Sequence, residues 1–255
     1  MLFTVSRLNN QNRETFVSFL GGITLRKPIT LSLNNVDVNI GPTNIIKNIS
    51  FDLCYGEICA LVGHNGAGKT FTLKSIMGIQ EKSKGTIKIN NIDIDEDYLN
   101  YKTMYSYIPE EPILFTELTV YQHFQLYGTS YKVPEGTFRD RVEYYVEGFE
   151  MNGKLNEFPE DLSKGMRQKV NIISNLITDT PLLIIDEPFI GLDENSVLFL
   201  EQEIINKASN GTSILITSHL IERVKKLCHS FIMLKEGKVV NQGKIENLKS
   251  IESRI

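Results

Sequence analysis

Cysteine is scarce: Cys54, Cys59 and Cys228 are the three in 255 residues, and no two of them stand at C-x-x-C or another metal-ligand spacing. They read as small buried hydrophobes of a reducing compartment, and a chain of this size needs no disulfide staples. A basic excess is also missing. The formal charge is −4 at pH 7 and the pI about 5.7, which argues against a broad nucleic-acid footprint, so no nucleic-acid partner is expected. No apolar run approaches the roughly 18 residues that cross a bilayer, the longest being FVSFLGGITL from Phe16 to Leu25. That segment follows Arg7, Arg13 and Glu14 and carries no A-x-A-like cleavage site, so it does not read as a secretory signal. Internal repeats and low-complexity tracts are absent. A chain of this length buries roughly 70–75% of its unfolded surface in one domain, with or without an inserted subdomain.

Glycine, by contrast, is concentrated. Leu61 to Leu73 reads LVGHNGAGKTFTL. Gly63, Gly66 and Gly68 have no Cβ and can turn successive backbone N–H groups towards one small volume, a ring of donors that calls for an anion. Ile58–Val62 (ICALV) reads as a strand and Lys69–Ile79 as a helix, so the anion also meets a positive helix terminus. The pattern G-x-x-x-x-G-K-[ST] is complete in Gly63, Gly68, Lys69 and Thr70, with His64, Asn65, Gly66 and Ala67 supplying the loop. Lys69 is expected to reach the β- and γ-phosphates of a nucleotide, and the Thr70 hydroxyl to take a Mg²⁺ position.

Further along, PLLIIDEP from Pro181 to Pro188 is an apolar run fit for a central parallel strand, ending in two acids. Acids at a strand's carboxyl end sit where α/β sheets bind ligands. Because side chains alternate along an extended segment, Asp186 is assigned to the Mg²⁺ shell and Glu187 to the attacking water. Ser163 precedes a helical run, Lys164–Ile177, with Met166, Val170, Ile173 and Ile177 at helical spacing, which makes a second anion site.

With these motifs in order, residues 30 to 245 resemble the ATP-binding subunits of ABC transporters. DLSKGMRQKV, Asp161 to Val170, is similar to the family's signature; FIGLD, Phe189 to Asp193, to its D-loop; and TSHL, Thr217 to Leu220, to its switch histidine. The resemblance implies an ATPase that binds ATP and Mg²⁺. It further implies a head-to-tail dimer, either a homodimer or a pair with another ATPase subunit, in which Ser163 and Gly165 cover the nucleotide held by the partner's phosphate loop. By the same mapping His219 contacts the γ-phosphate or positions water beside Glu187, and Asp193 joins the nucleotide-binding set. A separate polytopic membrane permease is the implied partner, and the implied location is cytoplasmic, at the inner face of the cell membrane. The expected fold is α/β: a P-loop NTPase core with a mostly parallel sheet, an antiparallel β subdomain and an inserted helical subdomain.

Thr119–Tyr131 and Glu135–Met151 suit helices, and residues from about 95 to 170 read as that helical insert, a movable lever. Its start, YIPEEPILF from Tyr107 to Phe115, matches the family's Q-loop with Glu110 in place of glutamine, able to bind metal but adding charge. LSKGM, with Lys164 and Met166, is similar to the subfamily serving ABC-2-type exporters. Phe71 stands where many relatives carry a second hydroxyl that bonds the α-phosphate, which implies some loss of nucleotide affinity, on the order of 1 kcal/mol. Ile40 stands where most stack the base on an aromatic ring, so discrimination between ATP and GTP is expected to be loose. Residues 1–28 form an N-terminal extension outside the resemblance, read as a hairpin of Leu2–Leu8 and Thr15–Leu20 or as an amphipathic piece lying on a membrane or partner; residues 29–255 form the nucleotide-binding domain. The alternative is a soluble ABC-type ATPase of cofactor assembly or another non-transport process. There is one motif set, not two in tandem, and no heptad-bearing insert, which speaks against translation and DNA-repair relatives.

Overall fold

The computed structural model describes residues 27–250, so the expected N-terminal hairpin lies outside the described residues. Two sheets organise the chain. The strands β1 (Ile29–Ile40) and β2 (Thr43–Cys54) form a long antiparallel hairpin, joined by β4 (Lys84–Ile89) and β5 (Ile92–Asp93) in the order β2-β1-β4-β5. The second sheet has six strands, β10-β9-β3-β8-β7-β6. In it β3 (Ile58–Val62), β6 (Tyr105–Ile108), β7 (Leu182–Asp186), β8 (Ser213–Thr217) and β9 (Ser230–Lys235) run parallel, and β10 (Lys238–Lys244) runs antiparallel to β9.

The central strands are short and apolar because both of their faces are covered. All five residues of β3 and of β8 are buried. Alternation then sorts the side chains into two cores. Cys59, Leu61, Leu182, Ile184 and Leu215 pack towards the antiparallel sheet and the helix α1 (Lys69–Ile76). Ala60, Leu183, Ile185, Ile214 and Ile216 pack towards the helical side. Truncating any one of these, for example Leu183→Ala, leaves a cavity that costs about 2–5 kcal/mol.

The remaining helices are α2 (Tyr98–Lys102), α3 (Val120–Ser130), α4 (Glu135–Gly148), α5 (Lys164–Leu176), α6 (Glu194–Ser209) and α7 (Ile221–Leu227). Thr119 caps α3 through a reciprocal capping box with Gln122. Among the described residues no helix is long and apolar enough to cross a membrane. Of the three cysteines, Cys59 and Cys228 are buried, Cys54 is half-buried, and all are free thiols.

The sequence-based lever is too long at its start. Tyr105–Ile108 is a strand of the parallel sheet in register with Leu182–Ile185, so the helical insertion begins after Ile108, not near residue 95. As the outer strand, β6 would expose unpaired backbone, and side chains close that edge. The Asn175 amide oxygen on α5 accepts from the Tyr107 N–H at 3.1 Å, and the hydroxyl of Tyr131, the C-cap of α3, donates to the Tyr105 carbonyl at 2.8 Å. The insertion is thereby bolted to the strand that leads into Pro109 and Glu110.

The helix that follows the glycine loop is also shorter than its apolar spacing predicts. It ends at Ile76, because Gly78 turns left-handed at φ +67° with a contact to Ile94 that a Cβ would close to 2.8 Å. Its terminal carbonyls are taken by three side chains from α2 and β6. The Tyr101 hydroxyl donates to the Ile76 carbonyl at 2.7 Å, and Lys102 Nζ and the Tyr105 hydroxyl donate to that of Met77 at 2.7 and 2.8 Å. Lys102 also lies 5.1 Å from the Tyr98 ring centre, a cation held at the negative end of the helix.

Candidate phosphate and water-activating site

The loop from Gly63 to Gly68 leaves β3 and enters α1 without room for side chains. Gly63, Gly66 and Gly68 all have positive φ, at 155°, 81° and 108°. At Gly63 a Cβ would stand 2.5 Å from the Leu234 carbonyl oxygen and 2.9 Å from the Ala67 methyl, so glycine is required by space as well as by dihedral. Gly68 is the N-cap of α1 and no side chain caps the helix, which leaves its first N–H groups to a ligand. Ala67 is buried, whereas His64, Asn65, Gly66 and Thr70 are exposed along the loop and Phe71 is half-buried against the antiparallel side.

Lys69 folds back over this loop, with Nζ donating to the carbonyls of Gly63 at 2.6 Å and His64 at 3.2 Å. Burial pulls its ammonium below the ordinary lysine value, and the Glu187 and Asp186 carboxylates push back. The field of those two acids thus reaches the lysine, and the two sequence-distant motifs meet in space.

Asp186 closes β7. One carboxylate oxygen accepts from the Thr217 hydroxyl at the end of β8, and the other lies 3.4 Å from the Tyr107 hydroxyl. Burial first, then the Asp186 and Glu110 carboxylates, push the Tyr107 phenol upward, which sets Glu110 near the same corner. Glu110 itself is exposed, just beyond β6. The Thr70 hydroxyl and Asp186 are the hard oxygen donors that a Mg²⁺ ion takes, and Asp186 keeps lone pairs free beyond its two hydroxyl contacts.

Glu187 does not continue the strand. Its φ is +46°, so its orientation comes from a left-handed turn and not from the pleat alternation expected from the sequence. The Thr217 carbonyl and hydroxyl oxygens both accept from its N–H at 3.2 Å, which holds the turn. The side chain is only 8% exposed. Oε2 accepts from the His219 N–H at 3.1 Å, while Oε1 is buried without a hydrogen bond, its approach to His219 Nε2 at 3.3 Å lacking bonding geometry. Burial raises the carboxyl above its ordinary value, outweighing the His219 N–H, the His219 ring and Lys69, which pull it down. A buried carboxylate with an unused lone pair and an elevated proton affinity is suited to accept a proton from water.

Ser163 caps α5, accepting from the Met166 N–H at 3.2 Å, and a Cβ on Gly165 would stand 2.6 Å from the Gly191 carbonyl oxygen. This helix start therefore packs against Gly191, in the loop that precedes Asp193. Asp193 is engaged within the chain. It caps α6 through Ser196 N–H at 2.9 Å and pairs with Lys169 Nζ at 2.7 Å, and the Lys169 hydrogen bond and the Ser196 N–H hold it well below the carboxylate range. Ile40 ends β1, 44% exposed at the hairpin tip, on the strand pair whose Ile46 touches Gly68.

The other histidines have structural jobs. His123 is buried, with Nε2 accepting from the Phe115 N–H at 2.9 Å and Nδ1 2.8 Å from the Thr119 carbonyl. His229 Nδ1 accepts from the Ile58 N–H at 2.9 Å. Sequence reasoning missed Tyr107, Lys169 and the Thr217 hydroxyl as supports of the site. Only Thr217 carried a signal, as the residue where the apolar run Ile214 to Ile216 turns polar.

A family model described as ABC transporter matches residues 46–190. The ABC-type transporter ATP-binding protein EcsA of Bacillus subtilis is 36% identical over 205 residues, 80% of this chain and 83% of that protein. The SkfA peptide export ATP-binding protein SkfE of the same organism is 30% identical over 195 residues, 76% and 81% of the two chains. Among solved structures, an ATP-binding subunit of an ABC transporter superposes with a TM-score of 0.84 at 32% identity, covering 88% of this chain and 93% of that one. A dimeric ATP-binding cassette in a post-hydrolysis state with ADP and phosphate shares the fold, with a TM-score of 0.74 at 23% identity over 84% and 98%. The chain belongs to the ATP-binding subunits of ABC transporters, and it is an ATPase.

Proposed function

We propose that this chain is the motor of an exporter: two ATPase subunits close around two Mg-ATP molecules, hydrolyse them, reopen, and so drive a separate polytopic membrane protein. The observation that carries the hydrolytic part is Glu187, a buried carboxylate whose Oε1 has no hydrogen bond and stands beside His219. In this reading Lys69 exchanges the Gly63 and His64 carbonyls for the β- and γ-phosphate oxygens, where its charge offsets that developing on the transferred group. Glu187 accepts the proton of the attacking water, and His219 orients that water or the γ-phosphate. Thr70 and Asp186, with Glu110 in reach, would hold the Mg²⁺, which would supply positive charge against that of the phosphates. Gly63 to Gly68 and the start of α1 supply N–H donors, Phe71 packs without adding a hydroxyl, and Ile40 offers the base an apolar face.

The α5 start, with Ser163 and Gly165, lies on the D-loop side, so one subunit provides half of each site and a head-to-tail partner the other half. The dimeric cassette among the structural neighbours supports that reading. Export is supported by Lys164 and Met166 in the signature and by the similarity to a peptide-export subunit. Nucleotide binds the closed pair more tightly than the open one, and that difference performs the work.

The test is affinity purification of tagged Glu187→Gln from its native cells in mild detergent with ATP, with mass spectrometry of what accompanies it. A stoichiometric polytopic membrane protein is expected. Recovery of soluble partners alone, from a preparation that retains other membrane complexes, would move the assignment to a cofactor-assembly ATPase.

A further inference from the structure

His219 is more than half exposed and leads directly into α7, a helix of seven residues whose N-cap, Leu220, makes no side-chain cap. Its ring can stand beside Glu187 only if α7 is fixed, because the Ile221 N–H already bonds the His219 carbonyl at 3.1 Å and leaves little slack between helix and histidine. Val224 and Leu227 anchor one side of α7 in the core. The other side is held by Arg223. Its Nη1 donates to Glu201 Oε1 at 2.6 Å, and Nη2 to both Glu194 oxygens at 3.1 and 3.2 Å. The guanidinium carbon also lies 5.7 Å from the Phe189 ring centre.

These contacts span three places that the site depends on. Glu194 is the first residue of α6, next to Asp193; Glu201 lies two turns further along the same helix; Phe189 belongs to the loop that follows Glu187. Glu201 is nearly fully buried, and Lys226 on α7 bonds its second oxygen at 2.7 Å, so its charge is matched. Only a planar fork reaches two carboxylates and a ring face together, which lysine could not do.

We propose that Arg223 is a positioning residue for hydrolysis: it locks α7 to α6 and to Phe189 and thereby sets where His219 stands relative to Glu187. The inference rests on the reading of Glu187 and His219 given above. A shift of α7 by an ångström would open the 3.3 Å gap between His219 Nε2 and Glu187 Oε1, a displacement that can cost on the order of 10²-fold in rate.

Two readouts separate this role from a merely structural one. The chain has four histidines, so ring resonances of histidine-labelled protein can be assigned one by one. In the full chain, Arg223→Met and Glu194→Gln are both expected to move the His219 resonance and to leave that of His123 in place. Glu194 is 68% exposed, so its substitution does not disturb the core if Arg223→Met should fail to fold. Steady-state hydrolysis is expected to show kcat reduced about tenfold by Arg223→Met with KM for ATP within about twofold, and no further loss when the same change is made on His219→Ala. An unmoved His219 resonance, or an equal loss of kcat in the His219→Ala background, would overturn the proposal. Wild-type kcat in His219→Ala would remove the histidine from hydrolysis and Arg223's hydrolytic role with it, while the resonance shift alone would still report whether Arg223 positions the ring.

Discussion

Replacing Glu187 by glutamine should make the nucleotide-free subunit more stable while it stops hydrolysis. Burial is the largest influence on this carboxyl and outweighs the attractions of His219 and Lys69, so the ionised form is a net cost to the folded state. Oε1 has no hydrogen bond, and a buried acceptor left unmade costs about 1–3 kcal/mol. Glutamine removes the charge, and its carbonyl still accepts from the His219 N–H; its amide NH2 takes the place of Oε1 without a partner, so the unmade hydrogen bond costs about the same in both proteins and only the charge is relieved. With Lys69 and that N–H offsetting part of the cost, a gain of about 1 kcal/mol is expected, a rise of about 2–4 °C in Tm for a chain of this size. The sign of the pH dependence follows. A carboxyl whose folded value is raised binds its proton more readily folded than unfolded, so the wild type recovers stability as pH falls through that raised value. The advantage of Glu187→Gln should therefore be full near pH 8 and vanish towards pH 4. Differential scanning calorimetry of both proteins without nucleotide measures this. A variant no more stable at pH 8, or a difference that does not change with pH, would refute the electrostatic account.

Three further outcomes are expected. Lys69→Ala should reduce hydrolysis at saturating ATP to background, and turnover like the wild type would remove the lysine from the phosphates. Gly165→Ala should push the α5 start off the Gly191 carbonyl, since the new Cβ would meet it at 2.6 Å; a loss of about 1–3 kcal/mol in denaturant unfolding and a weaker ATP-dependent dimer in light scattering are the signatures. GTP should compete with ATP within roughly tenfold in a hydrolysis assay, because Ile40 gives the base packing without a π-face, and thousandfold discrimination would show that another group reads it.

The parts legible in the sequence are those with local causes. ICALV and LLIID could only be strands buried on both faces, and the glycine spacing before Lys69 could only be a tight donor loop. Strand β6 was not legible, because YSYI is short and half polar, and what makes it a strand is Leu182–Ile185 beside it and Asn175 above it, about 70 residues away. The conformation of Glu187 departs from the extended one expected for a related reason: the left-handed turn that aims it is held by Thr217 on the next strand. The Lys169–Asp193 and Arg223–Glu201 pairs join helices that no periodicity relates, so composition and spacing are silent about them.

The three side chains that close the far end of α1 tie that helix to the strand running into Glu110. If binding a nucleotide draws the glycine loop along the helix axis, α1 cannot slide alone: Tyr101, Lys102 and Tyr105 must either give up their hydrogen bonds to Ile76 and Met77, at about 1 kcal/mol each, or travel with it. A phosphate gripped at one end of α1 is then felt, like a tug on a tow-rope, at the entrance to the helical insertion.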